Sequence, residues 1–336
     1  MDSEQGISES AVFSGAWAPM NDGTKLYLRR WKTDVSSPRA VLHIVHGMAE
    51  HSARYDRLAR RLVEEGIEVW AADQRGHGET SKNKGNTPGL GGLQGHCADD
   101  NGFSRVTADI DILNRAIRKQ YPDVPIFLLG HSWGSFIAQN YIENFEGRPS
   151  AYGEDPVFLS GCMLSGTRGP DGFKVTAGAK FMAILAVLLN IRKGSSIAKA
   201  LADGSNNKAF RPNRTEFDWL SRDEKEVDSY AADPCCGFIC SLGFYLDMTS
   251  ALVRIHRPEE MGKIRKELPI YIFSGSADPV GDMGVSPAAL VVAYRHRGIM
   301  DLETVLYPEA RHETLNETNR DEVTESLISW LLRHCS

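Results

Sequence analysis

Apolar residues in this chain fall in short continuous runs, set apart by longer stretches where apolar and polar positions recur at helical spacing. The runs predict strands over Lys25–Trp31, Arg39–His46, Ile67–Ala72, Pro125–Gly130, Val157–Ser165, Pro269–Ser274 and Leu302–Tyr307. Val41-Leu-His-Ile-Val45 and Ile126-Phe-Leu-Leu129 carry almost no polar position, as strands covered on both faces do. The longer stretches predict helices over Tyr55–Glu65, Phe103–Gln120, Ser135–Phe145, Ala288–His296 and Arg320–Arg333. In the last, Val323, Leu327, Ile328, Leu331 and Leu332 share one face. Such alternation predicts an α/β fold, a mostly parallel sheet with helices on both faces. The rhythm breaks between about Gly166 and Arg257, where no strand-like run occurs, Ala177–Ile191 is strongly apolar, and Thr215–Ala232 is charged and helical. That interruption reads as a helical cap inserted into the core, so the expected division is core 1–165, cap 166–257 and core 258–336.

Composition narrows the function. With 336 residues, 42% of them apolar, the chain is too apolar for disorder and long enough for one large domain with an insertion. A net charge of −6 without a basic block argues against nucleic acid as a partner. The longest unbroken apolar run, Phe181–Leu189, is far short of the roughly 20 residues of a membrane span. The first thirty residues lack the apolar stretch of a secretory signal, so the expectation is a cytoplasmic protein. Cys97, Cys162, Cys235, Cys236, Cys240 and Cys335 are scattered and form no C-x-x-C motif, the pattern of reduced thiols. The spacing of His96, Cys97, Asp99 and Asp100 fits no standard metal site. Gly89–Gly95 lacks the Lys and Ser/Thr of a phosphate loop. Neither a metal nor a cofactor is expected.

The decisive motif is Gly130-His-Ser-Trp-Gly134, a G-x-S-x-G pattern. Five residues alone are a weak signal, but a buried strand leads into this motif and a helix leaves it. A sharp strand-to-helix turn would lift the Ser132 hydroxyl to the sheet edge, with too little space for side chains at the flanking positions. A serine hydroxyl needs a base to take its proton, and that base needs an acid to orient it. Asp278 follows the strand Pro269–Ser274, and His312 follows Leu302–Tyr307, so both stand in loops beyond strand ends. Asp282 is the alternative acid. An oxyanion hole would take one backbone N–H from Trp133 and a second from Met48, in the small-residue loop after Arg39–His46.

His46-Gly-Met-Ala-Glu-His-Ser-Ala-Arg-Tyr55, Asp73-Gln-Arg-Gly-His-Gly78, the Ser132 elbow, Ser274-Gly-Ser-Ala-Asp-Pro-Val280 and Tyr307-Pro-Glu-Ala-Arg-His312 together resemble the serine α/β-hydrolases of the monoacylglycerol lipase and lysophospholipase group. Phe217-Asp-Trp-Leu-Ser-Arg-Asp-Glu224 resembles bacterial members. The resemblance runs from about Leu26 to Leu332. It implies an α/β-hydrolase fold, a Ser132–Asp278–His312 triad, Met48 and Trp133 as oxyanion donors, and a single-acyl-chain ester as substrate. Ala49 stands where many relatives have glycine, and Trp133 where they often have methionine. The bulk of Trp133 is expected to narrow the acyl pocket. The turn Asp73–Gly78 reads as a charged tie between loops rather than a catalytic element.

The cap segment Phe181–Ile191 is apolar around most of its circumference and is flanked by Lys174, Lys180, Arg192 and Lys193. Phe181, Ile184, Leu185 and Leu188 are the candidate acyl-chain contacts, and transient contact with a membrane or micelle is a further expectation. A thioesterase, an acyltransferase and a serine aminopeptidase would all use the same triad, and a non-catalytic ligand-binding protein shares the scaffold. A peptidase would need an anionic patch for the substrate amine, for which Glu216, Asp218, Asp223, Glu224, Glu226 and Asp228 are the candidates.

Overall fold

The computed structural model describes residues 12–35, 37–151, 153–170, 190–202 and 204–335. Its centre is one eight-stranded sheet of order β1-β2-β4-β3-β5-β6-β7-β8. The strands are β1 (Val12–Pro19), β2 (Lys25–Lys32), β3 (Ala40–Val45), β4 (Ile67–Asp73), β5 (Ile126–His131), β6 (Gly161–Ser165), β7 (Ile270–Gly275) and β8 (Leu302–Tyr307). β1 and β2 run antiparallel at one edge, and every pairing from β4 to β8 is parallel. This is the mostly parallel sheet that the apolar runs predict, in keeping with the α/β-hydrolase fold that the resemblance implies.

Strand alternation explains why both faces are covered. On β5, Ile126 and Leu128 join one core cluster while Phe127 and Leu129 join the other. The first cluster lies under the helices Gly102–Gln120, Trp133–Asn144, Leu242–Ile255 and Val285–His296. The second lies under Asp56–Glu64 and Arg320–Arg333. All six residues of β3, β5 and β7 are buried, and each large apolar side chain so placed contributes about 1.5–3 kcal/mol.

The register sets up the site. Val45 pairs with Gly130, Gly130 with Leu164, Ser165 with Phe273, and Ser274 with Leu306. The carboxyl ends of β3, β5, β6, β7 and β8 therefore stand side by side, and the loops leaving them converge on one rim.

Three elements differ from the sequence-based expectation. β1 went unpredicted because Gly15 and Pro19 blur its alternation, and as an edge strand it is held by β2 alone. β6 begins at Gly161 rather than Val157. Only Glu224–Ala232 of the stretch Thr215–Ala232 forms a regular α-helix. The Asp218 carboxylate accepts from the backbone N–H groups of Arg214 and Thr215, tying the start of that stretch into a turn that competes with helix.

Between β6 and β7 the described residues hold helices and turns but no strand. Leu242, Phe244, Tyr245, Met248, Leu252 and Ile255 of the last long helix in this stretch belong to the first core cluster, beside Phe103, Trp133 and Phe136. Part of the predicted insertion thus packs as core. Phe181, Ile184, Leu185 and Leu188 lie outside the described residues.

Candidate active site

Ser132 sits between β5 and the helix Trp133–Asn144 with φ 52° and ψ −120°, a conformation a non-glycine residue adopts only when its surroundings force it. The forcing contacts are visible. Ser132 N–H donates to Ser165 O at 2.9 Å, carrying the β5–β6 ladder one residue further, and Ser132 O accepts from Ser135 N–H at 2.8 Å. A Cβ on Gly130 would lie 2.4 Å from Gly134 O, and one on Gly134 would lie 2.1 Å from Val45 O. Side chains at these two positions would drive the helix off the sheet.

His312 and Asp278 meet across the neighbouring loops. His312 Nδ1 lies 3.0 Å from each Asp278 carboxylate oxygen. Both side chains are buried, at 2% and 0% exposure. Val280 N–H (2.9 Å) and the Ser274 hydroxyl (3.1 Å) complete the acceptor set of Asp278. Burial pushes the Asp278 carboxyl up, but the His312 charge and these three donors outweigh it and hold it below the usual carboxylate range. Burial on its own would depress His312. The Asp278 charge and hydrogen bond, with Glu313 and Glu50 behind them, raise it above an ordinary imidazole. Asp278, not Asp282, is the carboxylate that contacts this imidazole.

Ser132 and His312 line one cavity, together with Gly47, Met48, Ala49 and Glu50 from the loop after β3. Trp133 is the first residue of its helix, where the N–H has no intrahelical acceptor. Neither its N–H nor that of Met48 donates to a backbone carbonyl among the described residues outside regular elements. The Trp133 ring packs 5.4 Å from His77 and 4.8 Å from Phe244 and is not among the residues that line this cavity. The rest of the lining is largely aromatic and comes from the stretch between β6 and β7: Phe217, Trp219, Tyr230 and Phe238, with Leu220 among them.

Three features escaped the sequence reading. Arg54 donates to both Glu313 oxygens at 2.7 Å and to Glu50 at 2.8 Å, while Glu50 also accepts from Gly47 N–H and the Tyr55 hydroxyl. One guanidinium thus links the loop carrying Met48 to the residue after His312. Burial pushes the Glu50 carboxyl up, but Arg54, the His131 and His46 imidazoles and the Gly47 N–H together outweigh it and hold it at about 2. His77 accepts from Ala49 N–H through Nε2 at 3.2 Å and donates to Arg75 O through Nδ1 at 2.9 Å. Burial lowers its pKa to about 3, so it stays neutral while holding both Ala49 and Trp133. Asp73 accepts from Arg29 and Ser52, so the turn Asp73–Gly78 is the tie its sequence suggests. Finally, the stretch between β6 and β7 is fastened to the loop of His312. Glu313 N–H donates to Leu220 O at 2.8 Å, and the Trp219 ring lies 5.1 Å from the His312 ring. A local motif could have pointed to His77; nothing local could have paired residues 54 and 313.

Among known proteins, the family described as "Hydrolase_4: Serine aminopeptidase, S33" matches residues 36–319. Monoglyceride lipase of Mus musculus is 31% identical over 320 residues, covering 92% of this chain and 88% of that one. Monoacylglycerol lipase of Mycolicibacterium smegmatis is 25% identical over 312 residues, covering 93% and 94%. The crystal structure of a thermostable carboxyl esterase from Bacillus coagulans superposes with a TM-score of 0.84 at 27% identity, covering 96% of this chain and 99% of that one. The converging loops, the strained serine and these matches agree: the chain is a serine hydrolase of the α/β-hydrolase fold and belongs to the S33 serine aminopeptidase family that its residues 36–319 match.

Proposed function

We propose that the protein hydrolyses single-acyl-chain, lipid-like carboxylic esters of the monoacylglycerol class, with Ser132 as nucleophile, His312 as base and Asp278 as its orienting acid. The observation that carries this reading is the strained Ser132 facing the same cavity as a His312 whose Nδ1 is committed to Asp278. His312 Nε2 takes the Ser132 proton as Oγ attacks the ester carbonyl, and the Met48 and Trp133 N–H groups receive the developing oxyanion. His312 then protonates the departing alcohol, and the same nitrogen activates water to release the acid from the acyl-serine. The core residues need neither metal nor cofactor for these steps. The mouse and mycobacterial relatives, named as monoglyceride and monoacylglycerol lipases, support the substrate class.

We assign the cap to the stretch between β6 and β7 that covers this cavity, with residues 217–238 as its described wall. The cavity offers about 40 Å³, space for the ester group and a water, so a long acyl tail requires the aromatic wall to give way. On the outer side of the cap Ile197, Leu201 and Ile239 are exposed, which supports transient docking on a membrane or micelle. Among the described residues no helix is long and apolar enough to cross a membrane.

The aminopeptidase alternative finds less support. Asp223 pairs with Arg320, Asp228 with Arg214, and Asp218 is absorbed in its turn. None of the six acidic candidates lines the cavity. The test is a rate series over p-nitrophenyl esters from acetate to palmitate, a monoacylglycerol and an aminoacyl anilide. Ser132→Ala should lose ester turnover and fluorophosphonate labelling with its thermal unfolding unchanged. Retained turnover in that variant, or anilide hydrolysis faster than any ester, would overturn the reading.

A further inference from the structure

Outside the triad, the three side chains of His51, Asp233 and Cys236 each present a metal-ligating atom within 4.8 Å of the other two. His51 ends the loop after β3, whereas Asp233 and Cys236 belong to the cap turn after the helix Glu224–Ala232. That turn is already arranged to present them. Asp233 Oδ1 accepts from Cys235 N–H at 2.7 Å, and Asp233 O accepts from Cys236 N–H at 2.9 Å. Asp233 Oδ2 is thereby left toward His51 Nε2, 2.9 Å away. Cys236 is a free thiol, buried beneath the pair.

We propose that His51, Asp233 and Cys236 form a binding site for a borderline-soft divalent cation of the zinc class. One nitrogen, one carboxylate oxygen and one sulfur match that class and not the all-oxygen shells of magnesium or calcium. A tetrahedral ion with bonds of about 2.0–2.3 Å sets its ligands roughly 3.3–3.8 Å apart, so the His51–Asp233 pair opens by under about an ångström. Water would supply the fourth ligand of such an ion. As the sulfur–metal bond forms, the thiol proton passes to solvent and no electrons are transferred. The neighbouring cations are compensated: Arg54 is held by Glu50 and Glu313, and Lys82 by Glu79.

The location gives the site a consequence. The Ala49 carbonyl already accepts from the cap through Gly237 N–H and the Tyr230 hydroxyl, both at 2.9 Å. The His51–Asp233 contact is a third tie, and an ion two residues further on would replace that single hydrogen bond by coordinate bonds that also include Cys236, resisting the movement a long acyl tail requires.

The site is tested by binding, independently of ester chemistry. The full-length protein, stripped with a chelator, is titrated with Cd2+ while the thiolate-to-cadmium absorption band is followed, and with Zn2+ by equilibrium dialysis. The expected result is one equivalent bound, with loss of the band in Cys236→Ser and at least about tenfold weaker Zn2+ binding in His51→Gln. Cys335→Ser, at the partly exposed thiol near the carboxyl terminus, should bind as the parent does. Circular dichroism establishes that each variant is folded. No saturable Zn2+ binding would overturn the proposal. So would an absorption band that survives Cys236→Ser, or binding that depends instead on the surface group Asp301, Glu303 and His334.

Discussion

The core side of the cavity is made by loops leaving β3, β5 and β8, with Asp278 from the loop after β7 behind His312, and its geometry is largely backbone geometry. Ser132 is held at positive φ, Gly134 lies against Val45 O, and the two N–H groups proposed for the oxyanion are main-chain atoms. On the cap side, Phe217, Trp219, Leu220, Tyr230 and Phe238 present side-chain surface, and the ring contacts among them, such as Phe217–Tyr230 at 5.0 Å, tolerate changes of shape. Chemistry that requires atoms fixed to a few tenths of an ångström is thus placed where the sheet dictates position. Selectivity, which a methyl group can tune, would then fall to a wall made of side chains. Changes on the core side should therefore act on rate by orders of magnitude, and changes on the cap side on the ranking of substrates.

The sharpest break of that contrast is Asp278→Asn. It preserves shape but removes the charge and the acceptor that fix the His312 tautomer, so kcat should fall about 10⁴-fold. Its pH profile gives a second readout. The base acts when neutral, and its pKa is raised in the parent, so parent activity should climb through a midpoint above the ordinary imidazole value of about 6.5. In the variant burial is no longer opposed by Asp278, and the midpoint should fall. A residual activity with an unmoved midpoint would show that Asp278 is not the partner that matters.

Next in size is Arg54→Met, which leaves Glu50 and Glu313 facing each other without their shared cation. Removing one partner from a buried network costs about 3–5 kcal/mol, and the loss should appear as a lowered thermal midpoint. Arg54→Met combined with Glu313→Gln should recover part of it. A far smaller effect is expected from Phe217→Ala on the cap side. There the ratio of long-chain to acetate ester turnover should change by about tenfold at most, with little change in thermal midpoint. A collapse of all activity in that variant would erase the distinction between the two walls.

The same division governs what could be read from the chain. Ser132, Asp278 and His312 were legible because each follows a strand whose apolar run is local, and order along the chain supplied the rest. The buried strands β3, β5 and β7 were equally clear. β1 was not, since its pairing with β2 rather than its own pattern makes it a strand. The bridge from Arg54 to Glu313 and the tie of Leu220 to Glu313 join residues that only the completed fold brings together. The packing of the Trp133 ring was not legible, because its bulk is a local property and its direction is not. Phe244 and His77 decide where the ring goes.

Ala49 supplies the smallest and most discriminating test. It is a non-glycine residue at φ 53°, and three hydrogen bonds hold it there: its N–H to His77 and its carbonyl from Gly237 and Tyr230. The left-handed conformation costs an alanine about 1–2 kcal/mol, which glycine would relieve. Glycine would in turn lose about 0.4–1 kcal/mol to the freer unfolded chain, and the buried methyl contributes up to about 0.8 kcal/mol of its own. These terms nearly cancel, so Ala49→Gly should shift stability by less than about 1 kcal/mol and leave turnover within a few-fold of the parent. Ala49→Val asks the same backbone of a β-branched residue and should lose both stability and turnover, because Met48 N–H moves with it. If valine were tolerated as well as glycine, the core wall would be as pliable as the cap wall, and the claim that its backbone is what fixes the chemistry would fail.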